Sequence, residues 1–163
     1  MTQEMTAKGR AEAAPPPLPP AWFQVAAWLL TLGGLGISVY LTITHYDEGA
    51  LVCSASSTID CHAVTTSEYS TLAGIPMPLL GLAFFVGFCA LLTPWALRST
   101  WPPLRWARVA GVSVGVLMVV YLVTVELAVL HKICLWCTGV HVITVLLFLL
   151  VLADEFRRIG QVD

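Results

Sequence analysis

Cys134-Leu135-Trp136-Cys137 places two thiols two residues apart at the head of a long apolar run. Such a pair can close into a strained, reducible disulfide. At the start of a helix it also meets the partial positive charge of the helix N-terminus, which favours thiolate over thiol. The thiolate attacks disulfides and gives up electrons, so the spacing points to redox chemistry. A second pair, Cys53 and Cys61, lies eight positions apart in a polar stretch. Taken alone it reads equally well as a structural disulfide or a redox pair. Beside a C-x-x-C, which is a poor staple on a helix, the redox reading gains. Cys89, in Gly87-Phe88-Cys89-Ala90, reads instead as an inert packing residue.

The elements that must hold these cysteines are apolar. The chain has 163 residues, 58% of them hydrophobic and 11% charged, with a mean hydropathy of +0.83. Soluble domains are about one quarter charged. Four blocks, at about 22–44, 76–95, 108–130 and 134–153, suit a bilayer core, which needs about 20 residues per helix. The expected fold is an all-α integral membrane protein, a bundle of four transmembrane helices with the outer loop 45–75 as a lid. A short surface helix is expected within that loop, around 63–72. Pro76 and Pro78 open the second span, where a missing N–H costs little. Gly33, Gly34 and Gly36 favour close packing of the first. Between the third and fourth spans only His131-Lys132-Ile133 remains. Those two helices must be antiparallel neighbours, which pins the C-x-x-C at a membrane surface.

Charge orients the bundle. Lys8 and Arg10 precede the first span, Arg98, Arg105 and Arg108 fall between the second and third, and Arg157 and Arg158 follow the fourth. Only Lys132 lies on the other side. The positive-inside rule then makes both termini cytoplasmic and turns all four loop and C-x-x-C cysteines outward, to the oxidising side. Trp22, Trp95, Trp101, Trp106 and Trp136 suit interfacial belts. No basic patch calls for nucleic acid. Residues 1–20, with the proline run Pro15–Pro17, read as a disordered cytoplasmic tail rather than a secretory signal. Residues 21–156 form the membrane domain and 157–163 a second cytoplasmic tail.

The order of these elements resembles a known family. Two loop cysteines are followed by Cys61-His-Ala-Val-Thr-Thr-Ser67-Glu-Tyr69-Ser70, then Gly74-Ile75-Pro76 and Gly81, then a C-x-x-C opening the last span. This set resembles the vitamin K epoxide reductase (VKOR) family over about residues 22–155, and the Tyr-Ser and Gly-Ile-Pro elements resemble its bacterial branch. The resemblance implies a quinone-dependent thiol oxidoreductase of the bacterial inner membrane. Such an enzyme reoxidises a separate extracytoplasmic thioredoxin-like protein of the DsbA kind and passes electrons to ubiquinone or menaquinone, without a metal. It implies Cys134 and Cys137 as the catalytic pair, with Cys137 facing the quinone. Cys53 and Cys61 become the shuttle pair, Cys53 attacked by the reduced partner and Cys61 relaying to Cys134. Ser67 matches the family's hydroxyl residue at the quinone.

Other polar residues carry two readings each. His141 follows Cys137 by four positions and shares its helix face; it bonds or protonates the quinone, or packs against another helix. The animal members carry tyrosine there, and Met77 stands where they place a polar residue. Both departures count against vitamin K epoxide as substrate. Glu126 is costly in lipid and must face the interior or a polar pocket, as a site residue or a structural one. His45, His62 and His131 lie near the outer interface and read as solvated or capping. The chief rival function is a membrane carrier that binds a soft ion such as Hg or Zn through the four cysteines. Its weakness is a Cys53–Cys61 spacing unlike a zinc knuckle. A non-enzymatic protein with fixed structural disulfides is the remaining alternative.

Overall fold

The computed structural model describes residues 18–53, 56–99 and 101–159. The proposed tail at 1–20 lies almost wholly outside them, as do the last four residues of the chain. Helix α1, Ala21–Tyr46, begins where Pro20 can no longer block it, with the Phe23 N–H on the Pro20 carbonyl at 3.0 Å. Its buried residues Phe23, Ala27, Thr31, Gly34, Ser38, Leu41 and Thr44 recur every three or four positions, one helical stripe. Its other faces are apolar too, and Val25, Leu29, Leu32 and Ile43 are exposed. A helix with a buried stripe and exposed apolar flanks is one solvated by lipid.

The remaining elements are α2, Cys61–Thr65; a two-stranded hairpin, β1 Thr71–Leu72 and β2 Ile75–Pro76; α3, Met77–Leu91; α4, Pro94–Arg98; α5, Pro102–Thr124; and α6, Leu135–Ile159. Helix α5 runs on through a π-helical turn, Val125–Leu130. Helix α1 packs against α3 and α6, and α5 packs against the same two, so α1 and α5 are diagonal in a four-helix ring. Ala21–Tyr46, Pro102–Leu130 and Leu135–Arg158 are each long and apolar enough to cross a membrane.

Helix α3 differs from the expected span 76–95. It has 15 residues, about 22 Å at 1.5 Å per residue, short of a hydrocarbon core of about 30 Å. Thr93 ends it and caps α4, accepting the Ala96 N–H at 3.4 Å. Pro94 takes the first position of the new helix, where its missing N–H is harmless. The loop also departs from the expected surface helix at 63–72. Asp60 starts a helix two residues earlier by accepting the Ala63 N–H at 3.0 Å. That helix stops at Thr65, and 71–76 forms the hairpin around Ala73 and Gly74, both at positive φ. A turn with two such residues matches the twist of paired strands, and glycine takes the second place without strain.

The bundle is filled unevenly. Phe23, Ala27, Phe85, Phe88, Leu92, Val112, Leu147 and Val151 form a closed core in the half nearest the termini. There the Phe85 ring packs against Gly34, where an added Cβ would overlap it. Gly34→Ala is therefore expected to destabilise the fold by about 1–3 kcal/mol, as overpacking does. Thermal unfolding in detergent measures it, with Gly36→Ala, which meets nothing within 4 Å, as the neutral control. The other half of the bundle, towards the loop, is hollow.

Candidate functional site

Cys134 is the residue immediately before α6. Its carbonyl accepts the Thr138 N–H at 2.9 Å, and its sulfur accepts the Cys137 N–H at 3.2 Å. The Thr138 hydroxyl donates to the same carbonyl at 2.9 Å. A sulfur that caps a helix N-terminus lies where negative charge is stabilised. Cys134 and Cys137 are both free thiols, the first buried and the second half-buried. Cys53 and Cys61 form a disulfide, with Cα atoms 6.1 Å apart. Cys89 is a third free thiol, half-buried on α3.

Backbone pairing brings the two halves together. The Asp60 N–H donates to the Ile133 carbonyl at 3.1 Å and the Ile133 N–H to the Thr58 carbonyl at 3.0 Å. Ile59 and Ile133 thus form a parallel bridge. Lys132 Nζ adds a bond to the Ser57 carbonyl at 2.9 Å. Each chain leaves this bridge directly into a cysteine, Cys61 on one side and Cys134 on the other, and both are enclosed, at 1% and 0% exposure. A second clamp holds the Cys53 arm. Trp136 Nε1 donates to the Val52 carbonyl at 2.9 Å, and the Val52 N–H donates to the Tyr40 hydroxyl at 2.7 Å. That hydroxyl donates on to the Ala50 carbonyl at 3.2 Å, and the Tyr40 and Trp136 rings meet at 4.7 Å. Further along the loop, His62 bonds Glu48 at 3.0 Å.

Beneath the loop is a cavity of about 460 Å³, bounded by α1, α3, α5, α6 and the 64–72 segment. Its lining is almost entirely apolar, with Leu41, Met77, Phe84 and Met118 among the walls. Ser67, Glu126, Cys137 and His141 all open onto it. Residues from the loop, the π-helical turn and α6 thus converge on one space. Ser67 donates its hydroxyl proton to the Val64 carbonyl at 2.8 Å, which leaves the oxygen lone pairs available. Glu126 is 5% and His141 7% exposed. His141 makes no hydrogen bond among the described residues, so its ring nitrogens remain available to a ligand. Glu126 sits in the π-helical turn and lies within electrostatic reach of Cys134 and Cys137. A second recess of about 410 Å³, bounded by Leu127, Thr138 and Val142, backs onto the same Glu126 and His141.

The model of the vitamin K epoxide reductase family matches residues 25–152. The chain belongs to that family. The matched stretch opens in α1 and closes in α6, so it contains both cysteine pairs and the whole cavity. This member is a multi-pass membrane protein and a thiol oxidoreductase, which is the broad reading its cysteines and hydropathy pointed to. Within the family frame, the two clamps are the part that sequence reasoning missed. Tyr40 gave no signal among the aromatic residues of an apolar helix. Trp136 was read only as an interfacial anchor, although it also ties the loop down. Ile59, Asp60 and Ile133 act through their backbones, which no side-chain pattern reveals.

Proposed function

We propose that this VKOR-family member reoxidises an extracytoplasmic thioredoxin-like protein of the DsbA kind and delivers the electron pair to a membrane quinone, ubiquinone or menaquinone. The observation that carries the reading is the bridge between Ile59 and Ile133, which sets a disulfide-bearing loop against a dithiol that opens onto an apolar cavity. The orientation follows from charge. Arg98, Arg105, Arg108, Arg157 and Arg158 cluster at the end opposite Lys132 and the cavity, so the positive-inside rule turns the cavity outward in the bacterial inner membrane.

Every step is thiolate attack on sulfur. The partner's thiolate attacks Cys53 and expels Cys61 as thiolate, and the partner's second thiol then displaces Cys53 and leaves the partner oxidised. Cys61, now reduced, attacks Cys134 of an oxidised Cys134–Cys137 pair and expels Cys137. Cys53 then attacks Cys61 of that mixed disulfide, expels Cys134 as thiolate and restores the loop disulfide. The result is an oxidised loop pair and a reduced C-x-x-C, the state described above.

The cavity fits a quinone ring. Its volume lies in the range of ligand pockets, about 300–1,000 Å³, its walls are apolar, and its few polar groups include the unpartnered imidazole of His141. A bound quinone supplies an acceptor for two electrons and two protons. Cys137 supplies the sulfur at the cavity, Ser67 and His141 hydrogen-bonding groups, and Glu126 a carboxyl beside the dithiol.

Quinone-analogue absorbance, followed with purified protein in detergent and a reduced DsbA-like substrate, tests the reading. Cys137→Ala is expected to abolish the absorbance change. Cys53→Ala is expected to lose turnover with the protein substrate yet keep it with a small dithiol. An absorbance change indifferent to both substitutions would sink the proposal.

A further inference from the structure

At the opposite end of the bundle, α5 and α6 bring six charged residues together. Both Asp154 oxygens are taken, one by Arg157 Nη2 at 2.6 Å and the other by Arg158 Nε at 2.7 Å. Glu155 is paired with Arg105 at 2.5 Å. Arg108 is 6% exposed and lies within electrostatic reach of Arg105, Asp154, Glu155 and Arg158. It nevertheless makes no hydrogen bond or ion pair among the described residues. Arg158 Nη2 is also buried without a partner. Among the described residues four guanidinium groups therefore face two carboxylates, and the cluster carries two uncompensated positive charges.

A buried guanidinium without a partner is costly unless something completes it. Its depth says what that could be. Arg108 precedes Leu130 by 22 residues, and Asp154 follows Leu135 by 19. At 1.5 Å per residue these spans are about 33 and 29 Å, which puts the cluster at the far edge of a hydrocarbon core of about 30 Å. Phospholipid phosphates lie at that level. Trp106 and Phe156 are exposed nearby on the same two helices, and Trp101 is exposed just before α5, as in an interfacial aromatic belt. Basic pockets between transmembrane helices at this depth take anionic headgroups, and guanidinium forks suit phosphate oxygens.

We propose that the terminal ends of α5 and α6 form a binding site for the headgroup of an anionic phospholipid, with Arg108 as its centre and Arg158 and Arg105 at its sides. The bound phosphate supplies the charge that Asp154 and Glu155 leave unmatched. The proposal needs only the membrane placement, not the redox reading, so either can fail alone.

Native mass spectrometry of the full chain in detergent, titrated with phosphatidylglycerol, phosphatidylcholine or inorganic phosphate, tests it. One phosphatidylglycerol per chain is expected to persist where phosphatidylcholine does not, and to raise the thermal midpoint where inorganic phosphate does not. Arg108→Gln is expected to weaken phosphatidylglycerol binding at least tenfold. Arg105→Gln, at a half-exposed position, guards against a misfolded first variant. It frees the Glu155 carboxylate and should weaken binding by a smaller factor, with alkylation of Cys137 unchanged. Equal retention of both lipids, equal stabilisation by inorganic phosphate, or undiminished binding by both variants would overturn the site.

Discussion

A variant that keeps only Cys61 and Cys134 of the four outer cysteines, Cys53→Ala with Cys137→Ala, is expected to form a disulfide between them on mild oxidation. The mirror variant, Cys61→Ala with Cys137→Ala, retains Cys53 and Cys134 and should do so about 10²-fold more slowly, the penalty for a misplacement of about 1 Å or more. Neither variant contains the native loop disulfide, so its loss weighs equally on both. What differs is the backbone path. The bridge at Ile59 and Ile133 pairs the two segments that lead into Cys61 and Cys134, and both cysteines are buried. Cys53 leaves its clamp one residue after Val52, whose carbonyl is held by Trp136 beyond Cys134, and it is only half-buried. Peptide mass spectrometry after alkylation under non-reducing conditions gives both rates. Comparable rates, or a faster Cys53–Cys134 bond, would reverse the order of the relay.

The parts of this arrangement that could be read from the sequence are those governed by local chemistry. The dithiol spacing, the three-residue turn at His131–Ile133 and the apolar blocks depend on neighbours in the chain. Three of those blocks coincide with helices long enough to cross a membrane, while the block at 76–95 is broken into α3 and α4. Glu126 could be placed in the interior because lipid penalises a carboxylate wherever the helix turns it outward. The break between α3 and α4 had a local signal as well, since Thr93-Pro94 combines a capping side chain with a residue that cannot continue a helix; a hydropathy window passes over it because both sides are apolar. The loop was harder. Asp60 caps a helix two residues earlier than expected, and the hairpin after it depends on strands of two residues each, too short to show alternation. The clamps could not be read at all. Asp60 and Ile133 join positions more than 70 residues apart through main-chain atoms alone, which are the same in every sequence, and the Trp136 indole finds its acceptor on the equally anonymous main chain of Val52. The unpaired state of Arg108 is equally a tertiary fact, since it follows from which carboxylates its neighbours have already engaged.

Glu126→Gln should slow the delivery of electrons from the C-x-x-C to a quinone analogue by about 10²–10⁴-fold, the usual contribution of a positioned acid or base. Oxidation of the Cys134–Cys137 dithiol releases two protons with its two electrons, and the thiols must lose those protons for sulfur to react. The cavity walls are apolar, so a protein group beside the dithiol is needed to take each proton and relay it towards the quinone, which takes up two on reduction. Glu126 is the carboxyl in reach of both sulfurs, and no cation holds it in a salt bridge among the described residues. Lys132, six positions away, spends its ammonium on the Ser57 carbonyl. The π-helical turn widens the backbone where Glu126 enters, a device often found at functional sites. Glutamine keeps the size and the carbonyl oxygen of the side chain and loses only the capacity to carry a proton, so exchange between the two cysteine pairs should survive while quinone reduction falls. Glu126→Asp should restore part of the rate, because it returns the carboxyl at a shorter reach. A glutamine variant with full quinone activity would instead make Glu126 a structural residue, and the proton would have to leave through His141, the other ionisable side chain shared by the cavity and the recess behind it.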